Sequence, residues 1–329
     1  MIARRAALAA IALSLGAIAC GKSSRGGSDA RAVTGLGAVP SGVVAIVGID
    51  VSRLAGSPLV VRAVDDLLAR RPELTQRIDA LEASCHLDLT NKVKRVILAS
   101  GPREKDGTTP VLLVASGQIA ESDLTSCLEK SVGAGGGKVT AIAADGRTIY
   151  KIEEGRRQVY YAFGASDTVV LSNVQPWVEK ALGAGPKVMD DAEMKAWIGM
   201  SDQAAPMWLA AKVDPKVGEG LVRVGNGQIH AGPKAVFASM DPSAGVRAEL
   251  GAVMQSEDDA KALESFSKSQ VGLLALAAQW KGLGPVVEKV VVARDSAVLR
   301  LRVSLDDKDV RDLFSAIDTT AVAPQDAHP

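Results

Sequence analysis

The chain has 329 residues, 47% of them hydrophobic and 23% charged, with 38 basic and 38 acidic side chains. That composition belongs to a globular protein, and at about 150 residues per domain the length suits two domains or one duplicated one. Balanced charge supplies no field to neutralise phosphates, which speaks against nucleic-acid binding.

The N-terminus reads as a targeting segment. Arg4 and Arg5 precede an uninterrupted run of apolar and small residues from Ala6 to Ala19, and the run stops at Cys20. This is the pattern of a signal peptide, and its apolar run is short of the roughly 20 residues that a membrane-spanning helix needs. Residues Leu15-Gly16-Ala17-Ile18-Ala19-Cys20 resemble the bacterial lipobox, although Ala17 stands where the lipobox usually has Leu. The resemblance implies that Cys20 carries diacylglycerol on its sulfur and becomes the first residue of the mature chain. The alternative reading is a plain secretory peptide cleaved near Ala19. Two or three acyl chains give stable anchoring where one does not. Gly21, in place of the Asp that retains lipoproteins at the inner membrane, points to the outer membrane. Cleavage removes Arg4 and Arg5 from the balanced charge, so the mature chain carries −2 and the anchor alone must hold it to anionic lipid.

Residues 20–40 contain Ser23-Ser24, Gly26-Gly27 and Gly35 and read as a flexible linker behind the lipidated cysteine. Val43 to Ile49 is a β-branched run and predicts a buried strand. Ser57 before Pro58 predicts a helix N-cap, and Pro72 breaks that helix, after which Leu74, Ile78, Leu81 and Cys85 continue at helical spacing. Strands are expected at 93–99 and 110–116. Ser122 is expected to cap a helix bearing Leu124, Cys127 and Leu128. Four strands then follow between 139 and 171, with Asp145-Gly146 and Glu154-Gly155 as turns.

The second half predicts strands at 208–213, 235–240 and 246–254. Ser256 and Asp259 form a capping box opening a helix to about Ala278. A hairpin at 286–304 and a closing helix at 306–317 complete it. The fold class is therefore α+β: largely antiparallel sheets with helices packed on one face. The expected organisation is a signal peptide at 1–19, a tether at 20–40, α+β units at 41–200 and 201–320, and a disordered tail at 321–329. Both halves share an element order, which fits either a duplication or one irregular domain. The whole chain resembles a poorly characterised class of bacterial envelope lipoproteins, on Val47-Gly48-Ile49-Asp50 and His86-Leu87-Asp88-Leu89. That resemblance implies fold and location and brings no activity.

The chemistry is sparse. With Cys20 lipidated, Cys85 and Cys127 remain as an even pair in an oxidising compartment, either a structural disulfide or two buried thiols. Histidine occurs only as His86, His230 and His328, too few donors for a zinc cluster. Gly133 to Lys138 lacks the first glycine of a phosphate loop and has a helix before it rather than after it. The acidic clusters Asp190-Asp191-Glu193, Glu257-Asp258-Asp259 and Asp306-Asp307-Asp309 sit at helix starts, where capping accounts for them. No residue is assigned a catalytic role, no metal or cofactor is called for, and an enzyme is not expected. The expected function is a membrane-anchored envelope lipoprotein whose ectodomain is a structural or protein-interaction module. The alternative is a carrier for a hydrophobic ligand such as lipid. Its partners would be the membrane, through the lipid anchor, and an unidentified envelope protein.

Overall fold

The structure, a computed structural model, describes residues 33–85, 89–165, 167–225, 227–280 and 282–321. The chain is an α+β protein that divides into two compact units between Gly199 and Met200. Within each unit every strand pairing is antiparallel.

The first unit opens with strand β1 (Ala45–Asp50) and four helices: α1 (Val51–Leu54), α2 (Pro58–Arg70), α3 (Pro72–Cys85) and α4 (Leu89–Lys92). Strands β2 (Val93–Ser100) and β3 (Val111–Gly117) lead through helix α5 (Glu121–Ala134) to a four-strand meander. Its strands are β4 (Lys138–Ala144), β5 (Arg147–Glu154), β6 (Arg157–Ala165) and β7 (Thr168–Ser172). Helices α6 (Gln175–Leu182) and α7 (Ala192–Met200) follow, and the strand order is β1-β2-β3-β7-β6-β5-β4. Ser57 accepts from the Val60 N–H at 3.4 Å with Pro58 in the first turn, as an N-cap should. Asp145 and Gly146 both have positive φ, 47° and 74°, the backbone of the tight hairpin turn that joins β4 to β5. Ser122 does not cap α5. Ala120 stands at the N-cap without a side-chain bond, because the helix starts one residue before Ser122.

Register places Ala141, Tyr150, Tyr161, Leu171, Leu113, Leu98 and Val47 in one row across the seven strands. Tyr161 is fully buried, and Leu68 of α2, Ile78 of α3 and Cys127, Leu128 and Val132 of α5 close over this face. The alternating residues Leu112, Val114, Ala162 and Val170 are buried as well, so the central strands are covered on both faces. Helix α6 packs on β6 and β7 and buries Trp177 and Val178.

Residues 33–40, expected as linker, are instead part of this unit. Val33, Ala38 and Val39 are buried, Pro40 bridges to Lys187, and the Val188 N–H donates to the Val39 carbonyl at 2.9 Å. Small side chains allow the close approach: a Cβ on Gly164 would lie 2.6 Å from the Val33 carbonyl oxygen. A linker composition thus hid a packed strap.

The second unit comprises β8 (Met207–Lys212), α8 (Pro215–Val224), β9 (Ala235–Asp241), β10 (Val246–Val253), α9 (Glu257–Gln279), α10 (Gly284–Val287), β11 (Val291–Asp295), β12 (Val298–Leu305) and α11 (Asp307–Ala321). Its strand order is β11-β12-β10-β9-β8. Both units follow one plan: three antiparallel neighbours, a helix crossing to the far edge, and a meander returning to the third strand. The meander has four strands in the first unit and two in the second. Ser256 accepts from the Asp259 N–H at 3.1 Å and starts α9.

Cys85 on α3 and Cys127 on α5 form a disulfide with Cα atoms 4.6 Å apart. The bridge lies in the cluster of Leu68, Ile78, Leu128 and Tyr161 and ties the α2–α3 hairpin to the crossover helix. Closing 42 residues of sequence stabilises by about 4 kcal/mol in the chain-entropy treatment. Reduction, or Cys127→Ala, is expected to lower the melting temperature by roughly 10 °C, measured by calorimetry with and without reductant. An unchanged transition would show that the bridge does not constrain the unfolded chain.

Candidate functional site

Cys20, His86 and His328 lie outside the described residues. Cys85 and Cys127 are joined in the core of the first unit, and His230 is exposed after α8. Among the described residues no group of three His, Cys, Asp or Glu side chains could hold a metal ion. The glycine-rich segment after α5 terminates that helix: the Gly137 N–H donates to the Val132 carbonyl at 2.7 Å, and Gly136 takes φ 75°. Two of the acidic clusters cap, and the third, Glu257-Asp258-Asp259, follows the capping residue Ser256 in the first turn of α9. Asp191 accepts from Met194 N–H at 3.0 Å, and Asp306 accepts from Lys308 and Asp309 N–H at 2.8 and 2.9 Å. The tyrosines separate by strand parity. Tyr150 stacks on Tyr161 with centroids 4.7 Å apart and donates to Glu121 at 3.1 Å, whereas Tyr160 pairs with Lys151 on the other face.

Charge gathers on one face of the second unit's sheet. In β12, Leu299, Leu301 and Val303 alternate with Arg300, Arg302 and Ser304. Leu299 packs with Ala260 and Leu263 of α9, so the arginines point away from that helix. Register aligns Ser239, Glu249, Arg302 and Val291 in one row, and Asp241, Arg247 and Ser304 in the next. Glu249 accepts from Arg302 Nε at 2.5 Å and from Arg300, and Arg247 donates to Asp241 at 3.1 Å. Lys289 donates to Asp309 beside this face. Burial pushes the Glu249 carboxyl up, but hydrogen bonds from Arg302 and Arg300 outweigh it and hold the group below its ordinary value.

Arg300 also lies over the Phe237 ring, 4.7 Å from its centroid, a cation–π contact. Gly251 makes room for that ring: a Cβ there would meet Phe237 Cζ at 2.0 Å. These rows border an open groove of about 450 Å³, with Asp241, Arg247, Glu249, Lys289 and Arg302 among its walls. The walls offer alternating charge and the hydroxyls of Ser239 and Ser304, with no histidine and no cysteine. Met240, Val291 and Val303 line it as well, so the groove can hold a polypeptide segment that carries both charged and apolar side chains. The period-two pattern in β12 was the sequence signal for half of this face. Its partners Asp241 and Glu249 come from strands that only the register brings alongside.

The chain matches no protein-family model and no curated protein sequence. Among solved structures, crystal form I of TP0453 is similar to it, with a TM-score of 0.44 and 12% identity, covering 88% of this chain and 98% of that one.

Two outcomes follow from this face. Gly251→Ala forces the buried Phe237 ring to move and is expected to destabilise the second unit by about 2 kcal/mol. Adding Phe237→Leu should recover part of that loss, measured as a double-mutant cycle in urea. Because the Glu249 carboxyl is held low, its contribution to stability is complete above the ordinary Glu range near 4.3 and is lost as pH falls through the depressed value. Glu249→Gln is therefore expected to flatten the acid limb of a pH series of urea midpoints, and an unchanged slope would contradict the assignment.

Proposed function

We propose that this chain is an envelope lipoprotein anchored through Cys20 at the outer membrane, with a non-catalytic α+β ectodomain that works as a structural or protein-interaction module facing the periplasm or the surface. The observation that supports it best is the groove of the second unit. It is open and charged, its ionic side chains are arranged in complementary pairs, and neither a histidine nor a cysteine lines it. Its mixed lining, ion pairs beside Met240, Val291 and Val303, has the make-up of a protein interface rather than of an enclosed hydrophobic cavity, which favours the interaction module over a carrier. Charge pairs at such a face select a partner through complementarity and release it readily when one sign is reversed.

The experiment has two arms. Cys20→Ala is expected to release the chain from firm membrane association; retention equal to wild type would refute the anchor. In-cell crosslinking of the native lipoprotein, read by mass spectrometry, is expected to recover an envelope protein through lysines near the groove. Arg247→Glu, at an exposed position, should abolish that crosslink while lowering the melting temperature by no more than a few degrees through repulsion between the new carboxylate and Asp241. A partner captured equally well by the variant would place the interaction elsewhere.

A further inference from the structure

Helix α9 changes character along its length. Its first half carries Glu257, Asp258, Asp259, Lys261, Glu264 and Lys268, and buries Ala260 and Leu263 in the second unit's core. From Ser269 to Trp280 there is no charged residue. In that stretch Val271, Ala275 and Ala278 are half-buried at i, i+4 and i+7, which is the inward stripe. Leu273, Leu276 and Trp280 take the opposite side at three- and four-residue spacing, and Leu274 lies on the flank between the two sides. Their exposures are 58%, 59%, 93% and, for Leu274, 59%. The helix is thus apolar on both sides where one side has no cover among the described residues. A surface of this kind is a contact surface.

We propose that the outward stripe of α9 lies in the interface of a lipid bilayer, as a second membrane contact beside the acyl anchor. This rests on the anchored-lipoprotein reading above. Two observations, and one consequence of the proposed anchor, select a bilayer over a second protein. The four side chains expose roughly 500 Å², on the scale of 150–250 Å² for a large side chain, which is short of the ~800 Å² per partner of a standard protein interface. A tryptophan at the end of a charge-free helical segment matches the headgroup boundary, where one end of the ring is apolar and the other wet. A chain tethered by Cys20 meets the bilayer at high effective concentration, so a patch too weak to hold by itself becomes occupied. The stripe is too short to span: no helix among the described residues is long and apolar enough to cross a membrane. It would lie in the interface plane, with its apolar side a few ångströms into the headgroup region.

The test uses the mature chain with Cys20→Ala, which has no acyl group, and vesicles of phosphatidylcholine and phosphatidylethanolamine. Trp177, Trp197 and Trp208 are buried, so a change in tryptophan emission on adding vesicles reports Trp280. The expected result is a blue shift, quenching by brominated lipid and co-sedimentation that is insensitive to salt. Trp280→Ser should remove the emission change, and Leu273→Ser with Leu276→Ser should weaken co-sedimentation at least about tenfold, or 1.4 kcal/mol. Both are surface changes, and matched far-ultraviolet spectra and melting curves establish that the variants fold. No vesicle binding by the folded wild-type chain overturns the proposal. So does a concentration-dependent dimer that the same serine variants dissociate, since the stripe would then cover a second copy. Failure here with lipidated protein still in the membrane fraction leaves the anchor standing. Loss of the Cys20-dependent fractionation refutes the anchor regardless of the vesicle result.

Discussion

The side-chain period of two along antiparallel strands is the constraint on which the rest of this protein depends. Each residue is committed to one face, and register then assembles whole rows from distant parts of the chain. In the first unit both sets of alternating residues are apolar through the centre, for example Leu112, Leu113, Val114 and Ala115, so both faces must be covered. Helices α2, α3 and α5 cover one face, and α6 packs against β6 and β7. In the second unit β12 alternates Leu with Arg. One face therefore goes under α9 and the other remains charged and open.

The crossover helices follow from the same constraint. After three antiparallel neighbours, the chain of each unit runs through a helix to the far edge and returns by a meander, so α5 and α9 must each lie across their sheet. Helix α5 buries Thr125, Cys127, Leu128 and Val132, and the disulfide fixes it to α3. Helix α9 is a 23-residue helix, and its buried residues, Ala260 and Leu263, lie in its first half. The second half outruns the core it serves, which is why its outward leucines and Trp280 remain in contact with solvent. One topological device thus yields a locked helix in one unit and a half-free apolar helix in the other.

Much of the local structure was legible in the chain because its causes are local. Ser57-Pro58 and Ser256 with Asp259 cap helices through bonds to residues three positions on, and Asp145-Gly146 turns because both positions tolerate positive φ. Even the pairing of Cys85 with Cys127 rested on parity and on apolar helix faces. Ser122 misled because Ala120 can stand at an N-cap when the first turn is otherwise supported by acidic side chains at Glu121 and Asp123.

What the sequence determined by itself was the fold class, most elements, the turns and most of the caps, set largely by neighbours within a few positions. Tertiary structure alone decided three further matters. Residues 33–40 became a packed strap because Gly164 lets Val33 approach to contact distance, a fact more than 100 positions away. Glu249 met Arg300 and Arg302 because β12 pairs with β10 rather than with any other strand. Trp280 is left 93% exposed while Trp177, Trp197 and Trp208 are buried, because exposure depends on where the core ends and not on residue type.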